Sequence, residues 1–84
     1  MDLTRAVVRN HARLQMTRRQ ISDEEVHQVL ARPERVVPVR TGRVVAQAMI
    51  GDYLLRVVVD VDREPPEVVT AYRTSKIQKY GGRP

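Results

Sequence analysis

The stretch ERVVPVRTGRVVAQAMIGDYLLRVVVDV, from Glu34 to Val61, decides the fold. Its apolar residues alternate or fall in short β-branched blocks, which is the period of strands and not of helices. Two dipeptides interrupt it, Thr41-Gly42 and Gly51-Asp52. Each supplies the glycine that a primed two-residue hairpin turn needs for its positive φ. A fourth β-rich run, 67–73, follows the acidic turn from Asp62 to Pro66. The expected strands are therefore 35–40, 43–50, 53–61 and 67–73, joined as an antiparallel meander. Pro38 removes a ladder donor and places the first strand at a sheet edge.

Two helices are expected before the meander. Ser22-Asp23-Glu24-Glu25 has the spacing of a capping box, with the acids at the positive end of the helix dipole. Val26, Val29 and Leu30 then share one face, and Pro33 stops the helix near Ala31 or Arg32. Upstream, Asn10 to Arg18 is helical, but two patterns compete before it. Leu3, Val7, Leu14 and Ile21 fit one long helical stripe. Alternatively Thr4 to Val8 is extended and Asn10 caps a shorter helix. We adopt the shorter helix. The fold class is α+β, with two helices on one face of a four-stranded antiparallel sheet, in a single domain over residues 1–84.

The hairpins fix the expected faces. Ala46 lies opposite Val57 and Ala48 opposite Leu55. Across the 62–66 turn, Val57 meets Ala71 and Val59 meets Val69. With Val37, Val39, Val44, Ile50, Tyr53 and Val61 these form an apolar face for Leu14, Ile21, Val26, Val29 and Leu30 to cover. The opposite face aligns Val36, Gln47, Arg56 and Tyr72 in one row, with Val45, Val58 and Thr70 in the next. Arg56 interrupts the apolar run of what should be a central strand. A cation there must meet water or an anion, because burying it unpaired is costly. It either snorkels over an open face or builds an anion site on a rigid platform.

Composition narrows the chemistry. Within the 84 residues there is no Cys, which excludes disulfides, thiolate metal sites and a cysteine nucleophile. The two His show no metal-binding spacing, and neither metal nor cofactor is expected. No apolar run has the length of a membrane span and no signal-peptide core follows Met1, so a soluble cytoplasmic protein is the expectation. Fifteen basic residues face ten acidic ones, for a net charge of +5, and all the basic residues except Lys76 and Lys79 are Arg. The planar fork of Arg suits phosphate and carboxylate, so the balance leans towards nucleic acid or an acidic protein. Basic and acidic residues alternate in blocks, an arrangement that can place basic segments on one side of a small fold and acidic ones on the other.

Two motifs carry a resemblance. His11-Ala-Arg-Leu-Gln-Met16-Thr-Arg-Arg19-Gln-Ile21-Ser22 resembles H-A-x-x-R-M-x-x-R-G-I-S, departing at Gln15, where Arg is usual, and at Gln20, where Gly is usual. Val68-Val-Thr-Ala-Tyr-Arg-Thr-Ser-Lys-Ile-Gln-Lys-Tyr80 resembles V-V-T-x-Y-x-T-S-K-x-x-K-Y. Together they resemble the family called domain of unknown function 4258, which is similar to small toxins of the RelE and BrnT type with a microbial-ribonuclease architecture.

The resemblance implies metal-independent RNA cleavage, in which a 2′-hydroxyl attacks the adjacent phosphate. It points to His11 as acid or base, to Arg56 as a cation on the phosphate, and to Tyr72 and Tyr80 as stacking or proton-donating groups. Arg19, Arg73, Lys76 and Gln47 would bind RNA phosphates, and Thr74-Ser75-Lys76 could start a short helix that attracts an anion. The implied partners are RNA, free or on the ribosome, and an acidic antitoxin, with the chain a monomer or weak homodimer. The alternative is a non-catalytic RNA- or protein-binding module on the same scaffold. A third reading, a relative without activity, follows from Gln15 and Gln20.

Overall fold

The computed structural model describes residues 2–76 of the chain. Its elements run β1 (Val7–Val8), α1 (Asn10–Arg18), α2 (Asp23–Ala31), β2 (Arg35–Arg40), β3 (Arg43–Ile50), β4 (Tyr53–Asp60) and β5 (Glu67–Thr74). The fold is α+β, and the meander β2 to β5 is antiparallel as expected. A fifth strand corrects the four-stranded sheet. β1 pairs parallel to β5, through Val7 with Glu67 and Val8 with Val68, giving the mixed order β1-β5-β4-β3-β2. Two residues of alternation are too few to register as a strand. The pairing is secured by Val7 N–H, which donates to the Pro66 carbonyl at 2.8 Å.

Helix α2 begins with the expected capping box. The Ser22 hydroxyl accepts from the Glu25 N–H at 3.1 Å, and the Glu25 carboxylate accepts from the Ser22 N–H at 2.9 Å. Helix α1 has no side-chain cap: its N-cap is Arg9, and Asn10 is already the first helical residue. α2 packs on β3 and β4, and α1 packs on β5. Between them the core is Leu3, Ala12, Met16, Ile21, Val26, Val29 and Leu30 against Val44, Ala46, Ala48, Leu55, Val57, Val59, Val68 and Ala71. Leu14 is 59% exposed and not in the core, because α1 turns Ala12 and Met16 inward.

Two β-bulges correct the expected registers. The β3–β4 pairing is as read, with Ala46 opposite Val57, Gln47 opposite Arg56 and Ala48 opposite Leu55. In β5, Val69 is an extra residue between the Val58–Thr70 and Val59–Val68 pairs, so Val68 takes the core place assigned to Val69. In β2, Val39 is extra between the Pro38–Val44 and Arg40–Arg43 pairs. That bulge puts Val36 opposite Ala46 and Arg35 opposite Gln47, so Val37 leaves the helix-covered face. Val39 and Tyr53, also expected in the core, are exposed. The Pro38 strand is at the sheet edge. At the first hairpin Gly42 has φ +79°, and a Cβ there would meet Asp62 Oδ2 at 2.6 Å.

The charge blocks pair with one another and are not segregated. Arg43 donates from Nε to Asp60 at 2.6 Å, Arg9 from Nη2 to Glu67 at 2.6 Å, and Arg13 pairs with Asp23. The Arg43 hydrogen bond holds the Asp60 carboxyl below its ordinary 3.8, against the opposing effect of desolvation. Arg9 does the same to Glu67. Both groups bind protons more weakly folded than unfolded. Their contribution to stability is complete above the unfolded carboxylate range and is lost as pH falls through the lowered folded values. The urea midpoint should therefore drop on acidification below about pH 4, and the drop should be shallower in Asp60→Asn.

Candidate functional site

The sheet face away from the helices carries the candidate site. Register alone sets its middle row: Arg35 on β2, Gln47 on β3, Arg56 on β4 and Tyr72 on β5 are successive cross-strand partners. Gln47 is buried, at 1% exposure, and its Oε1 accepts from Arg56 Nε at 3.0 Å. Arg56 Nη1 donates to the Tyr72 hydroxyl at 2.5 Å, and its guanidinium carbon lies 5.7 Å from the Tyr72 ring centroid. A charged guanidinium on a central strand thus donates to a buried amide and to a phenol. The Tyr72 oxygen is the acceptor in that bond. Its own proton has no acceptor among the described residues.

A second set of polar groups borders this row. On β5, Thr70 precedes Tyr72 by two residues, so both point to the same face. Arg19 Nη1 donates to Thr70 Oγ1 at 3.0 Å and to the Ala71 carbonyl at 2.8 Å. Thr70 in turn donates to Gln15 Oε1 at 2.5 Å. Gln15 Nε2 lies 3.3 Å from His11 Nε2. With its oxygen engaged by Thr70, the Gln15 amide presents N–H to the ring, and His11 Nε2 accepts it in the tautomer that carries the proton on Nδ1. The chain of donors therefore runs one way, from the Arg19 cation through Thr70 and Gln15 to His11 Nε2. Arg, the residue usual at position 15 in the motif, has no acceptor atom and could not relay this chain.

His11, Arg56, Tyr72, Gln47 and Arg19 thus come to this face or its α1 border. His11 is exposed and contacts Gln15, not Arg56. Arg73 is placed elsewhere. It lies opposite Leu55 on the helix-covered face and donates from Nη1 to the Arg19 carbonyl at 2.8 Å and from Nη2 to the Gln20 carbonyl. Its guanidinium also lies 5.2 Å from the Tyr53 ring centroid, while Nε is buried without a partner among the described residues. Arg73 therefore closes the C-terminal end of α1. Lys76 is exposed, and its N–H donates to Thr74 Oγ1 at 3.0 Å, just past the end of β5. Tyr80, and any helix beginning at Thr74, lie outside the described residues. Thr70 and Arg35 were not singled out by sequence; Thr70 had its row but no chemistry until α1 docked beside it.

The carbonyl that Arg73 clasps belongs to a strained residue. Gln20 has φ +57°, the left-handed region that glycine occupies freely. This is the position at which the motif carries Gly. Gln20→Gly should raise stability by roughly 0.5–1 kcal/mol, read as a higher urea midpoint. An unchanged or lower midpoint would mean that the Gln side chain offsets the strain.

A groove of about 270 Å³ lies on the helix side, between residues 4–8 and α2, lined in part by Thr4, Val8, Arg13 and His27. None of the candidate site residues lines it. Among the described residues no three His, Asp or Glu side chains gather as a metal-binding group, and no helix is long and apolar enough to cross a membrane.

A family model described as Domain of unknown function (DUF4258) matches residues 8–73, which span β1 through most of β5. No curated protein and no solved structure matches the chain.

Proposed function

This chain belongs to the DUF4258 family, and from that premise and the open-face geometry we propose that it cleaves RNA in the manner of RelE- and BrnT-type toxins. The observation that carries the reading is the row Gln47–Arg56–Tyr72, bordered by a donor chain that ends on His11 Nε2. Arg56 binds a non-bridging oxygen of the scissile phosphate and stabilises the charge that grows there. His11 Nε2, released by Gln15 when RNA enters, takes the proton of the 2′-hydroxyl. The 2′-oxygen bonds to phosphorus, the bond to the 5′-oxygen breaks, and the Tyr72 hydroxyl protonates that oxygen. The products are a 2′,3′-cyclic phosphate and a free 5′-hydroxyl, and solvent returns the proton from His11 to Tyr72. Arg19 and Lys76 add positive charge along the path. The natural inhibitor on this reading is an acidic antitoxin lying over the same face.

The test is induction of the chain in a bacterial host, following growth and RNA integrity together. Growth arrest with RNA decay, absent in folded His11→Ala and Arg56→Ala, is the expected result. Normal growth with intact RNA and ample soluble protein would overturn the toxin reading. One observation favours a second reading, a non-catalytic RNA-binding module: His11 contacts Gln15 and not the Arg56–Tyr72 pair. On that reading His11→Ala leaves RNA binding unchanged.

A further inference from the structure

We infer that Arg35 is a second phosphate contact, and that bound RNA runs across the strands along the row from Tyr72 to Arg35. The inference rests on the RNA reading of the face and extends it to a residue and a direction. The bulge at Val39 makes Arg35 the cross-strand partner of Gln47, and Gln47 is the partner of Arg56. Paired residues project to the same side of a sheet, so Arg35 and Arg56 share the open face. They sit two strands apart, about 10 Å by strand spacing. Gln47 lies between them with its oxygen turned to Arg56.

Arg35 is exposed, and its side chain makes no hydrogen bond or ion pair with the described residues. Its situation differs from that of Arg9, Arg13 and Arg43, each of which is held by a carboxylate. The acid beside it, Glu34, faces the Met49 N–H at 3.4 Å. The row itself contains two guanidinium groups and no carboxylate. Arg suits this role, because its planar fork matches a phosphate and its charge does not depend on pH. The far end of the row is Tyr72, whose ring offers a stacking platform for a base. Cations about 10 Å apart, with an aromatic ring beyond one of them, fit an extended single strand and not a compact anion. The opposite end of the same face is occupied by the Arg43–Asp60 and Arg9–Glu67 pairs, whose guanidinium groups are already engaged by carboxylates and so offer less to a phosphate. That leaves the crossing direction along the row.

The experiment measures binding of a short fluorescent single-stranded RNA, 2′-O-methylated so that it cannot be cleaved, by anisotropy over a salt series. The proteins are wild type, Arg35→Ala and Arg5→Ala. Arg5 sits off the row beside Glu64 and controls for the loss of one positive charge. Arg35→Ala should reduce the slope of log affinity against log salt by about 0.7, the value for one phosphate contact on a single strand. That slope corresponds to about five-fold weaker binding at 0.1 M salt. Arg5→Ala should stay close to wild type. Equal behaviour of the two variants, with wild type binding normally, would overturn the Arg35 assignment and leave the RNA reading standing. No binding by folded wild type would overturn the RNA reading and the assignment with it. Circular dichroism confirms folding, which an exposed edge-strand position should not disturb.

Discussion

Arg56→Ala is expected to lower RNA cleavage by about 100- to 1000-fold, the usual loss when a preorganised charge-stabilising donor is removed. Arg56 is preorganised in a specific sense. Its strand is central, its Nε is fixed by buried Gln47 and its Nη1 by Tyr72. The charge therefore waits in place, with little reorganisation needed when the phosphorane forms. Arg56→Lys retains a point charge but loses the fork that meets Gln47 and Tyr72 together, so its activity should fall between the two. Removing the guanidinium also takes a donor from the buried Gln47 oxygen, at a cost on the order of 1–3 kcal/mol. Cleavage rates are therefore to be compared at a temperature where circular dichroism shows both variants folded. Equal rates for Arg56→Ala and wild type would remove Arg56 from the chemistry.

Leu55→Ala should destabilise the protein by about 2–5 kcal/mol. Leu55 is 1% exposed, in the helix-covered face of β4, next to Arg56 in sequence but on the opposite side of the sheet. A domain of this size has roughly 4–13 kcal/mol in all, so the variant should be marginal at 25 °C and unfold at much lower urea. Leu14→Ala is the contrast. The residue is the same type, yet it is 59% exposed, and its loss should change stability by less than about 0.5 kcal/mol. A large loss from Leu14→Ala would contradict the placement of α1.

Those two leucines show what the sequence made legible. The β3–β4 hairpin is short and its turn chemistry unambiguous, so Leu55, Gln47 and Arg56 could be assigned to faces directly. Leu14 could not, because Ala12, Met16 and Leu14 all fit helical stripes, and only docking on β5 chooses among them. The bulges at Val39 and Val69 were illegible for another reason. Each extra residue is an ordinary valine within a valine-rich strand, so no turn or glycine marks the shift. One consequence was to place Val36 where Arg35 belongs, which concealed a cation from the candidate site.

The site itself was half legible. The Gln47–Arg56–Tyr72 row follows from hairpin register, and the structure brings those three side chains into contact. The link from Thr70 to Gln15 and His11 depends on how α1 meets β5, a contact between residues 55 positions apart in sequence. Arg73 could have been assigned from parity, since it pairs with Leu55 and must share its face. Its role in closing α1 required the Gln20 turn, whose left-handed backbone is marked in the motif by glycine and here is masked by glutamine.

The most direct test of RNA cleavage is product analysis with purified protein. Free RNA is incubated with the protein in EDTA, and messenger RNA on translating ribosomes in magnesium buffer. Fragments ending in 2′,3′-cyclic phosphate and beginning with 5′-hydroxyl, in either reaction and absent with Arg56→Ala, are the predicted result. Intact RNA in both reactions, with wild-type protein shown to be folded, would contradict the account.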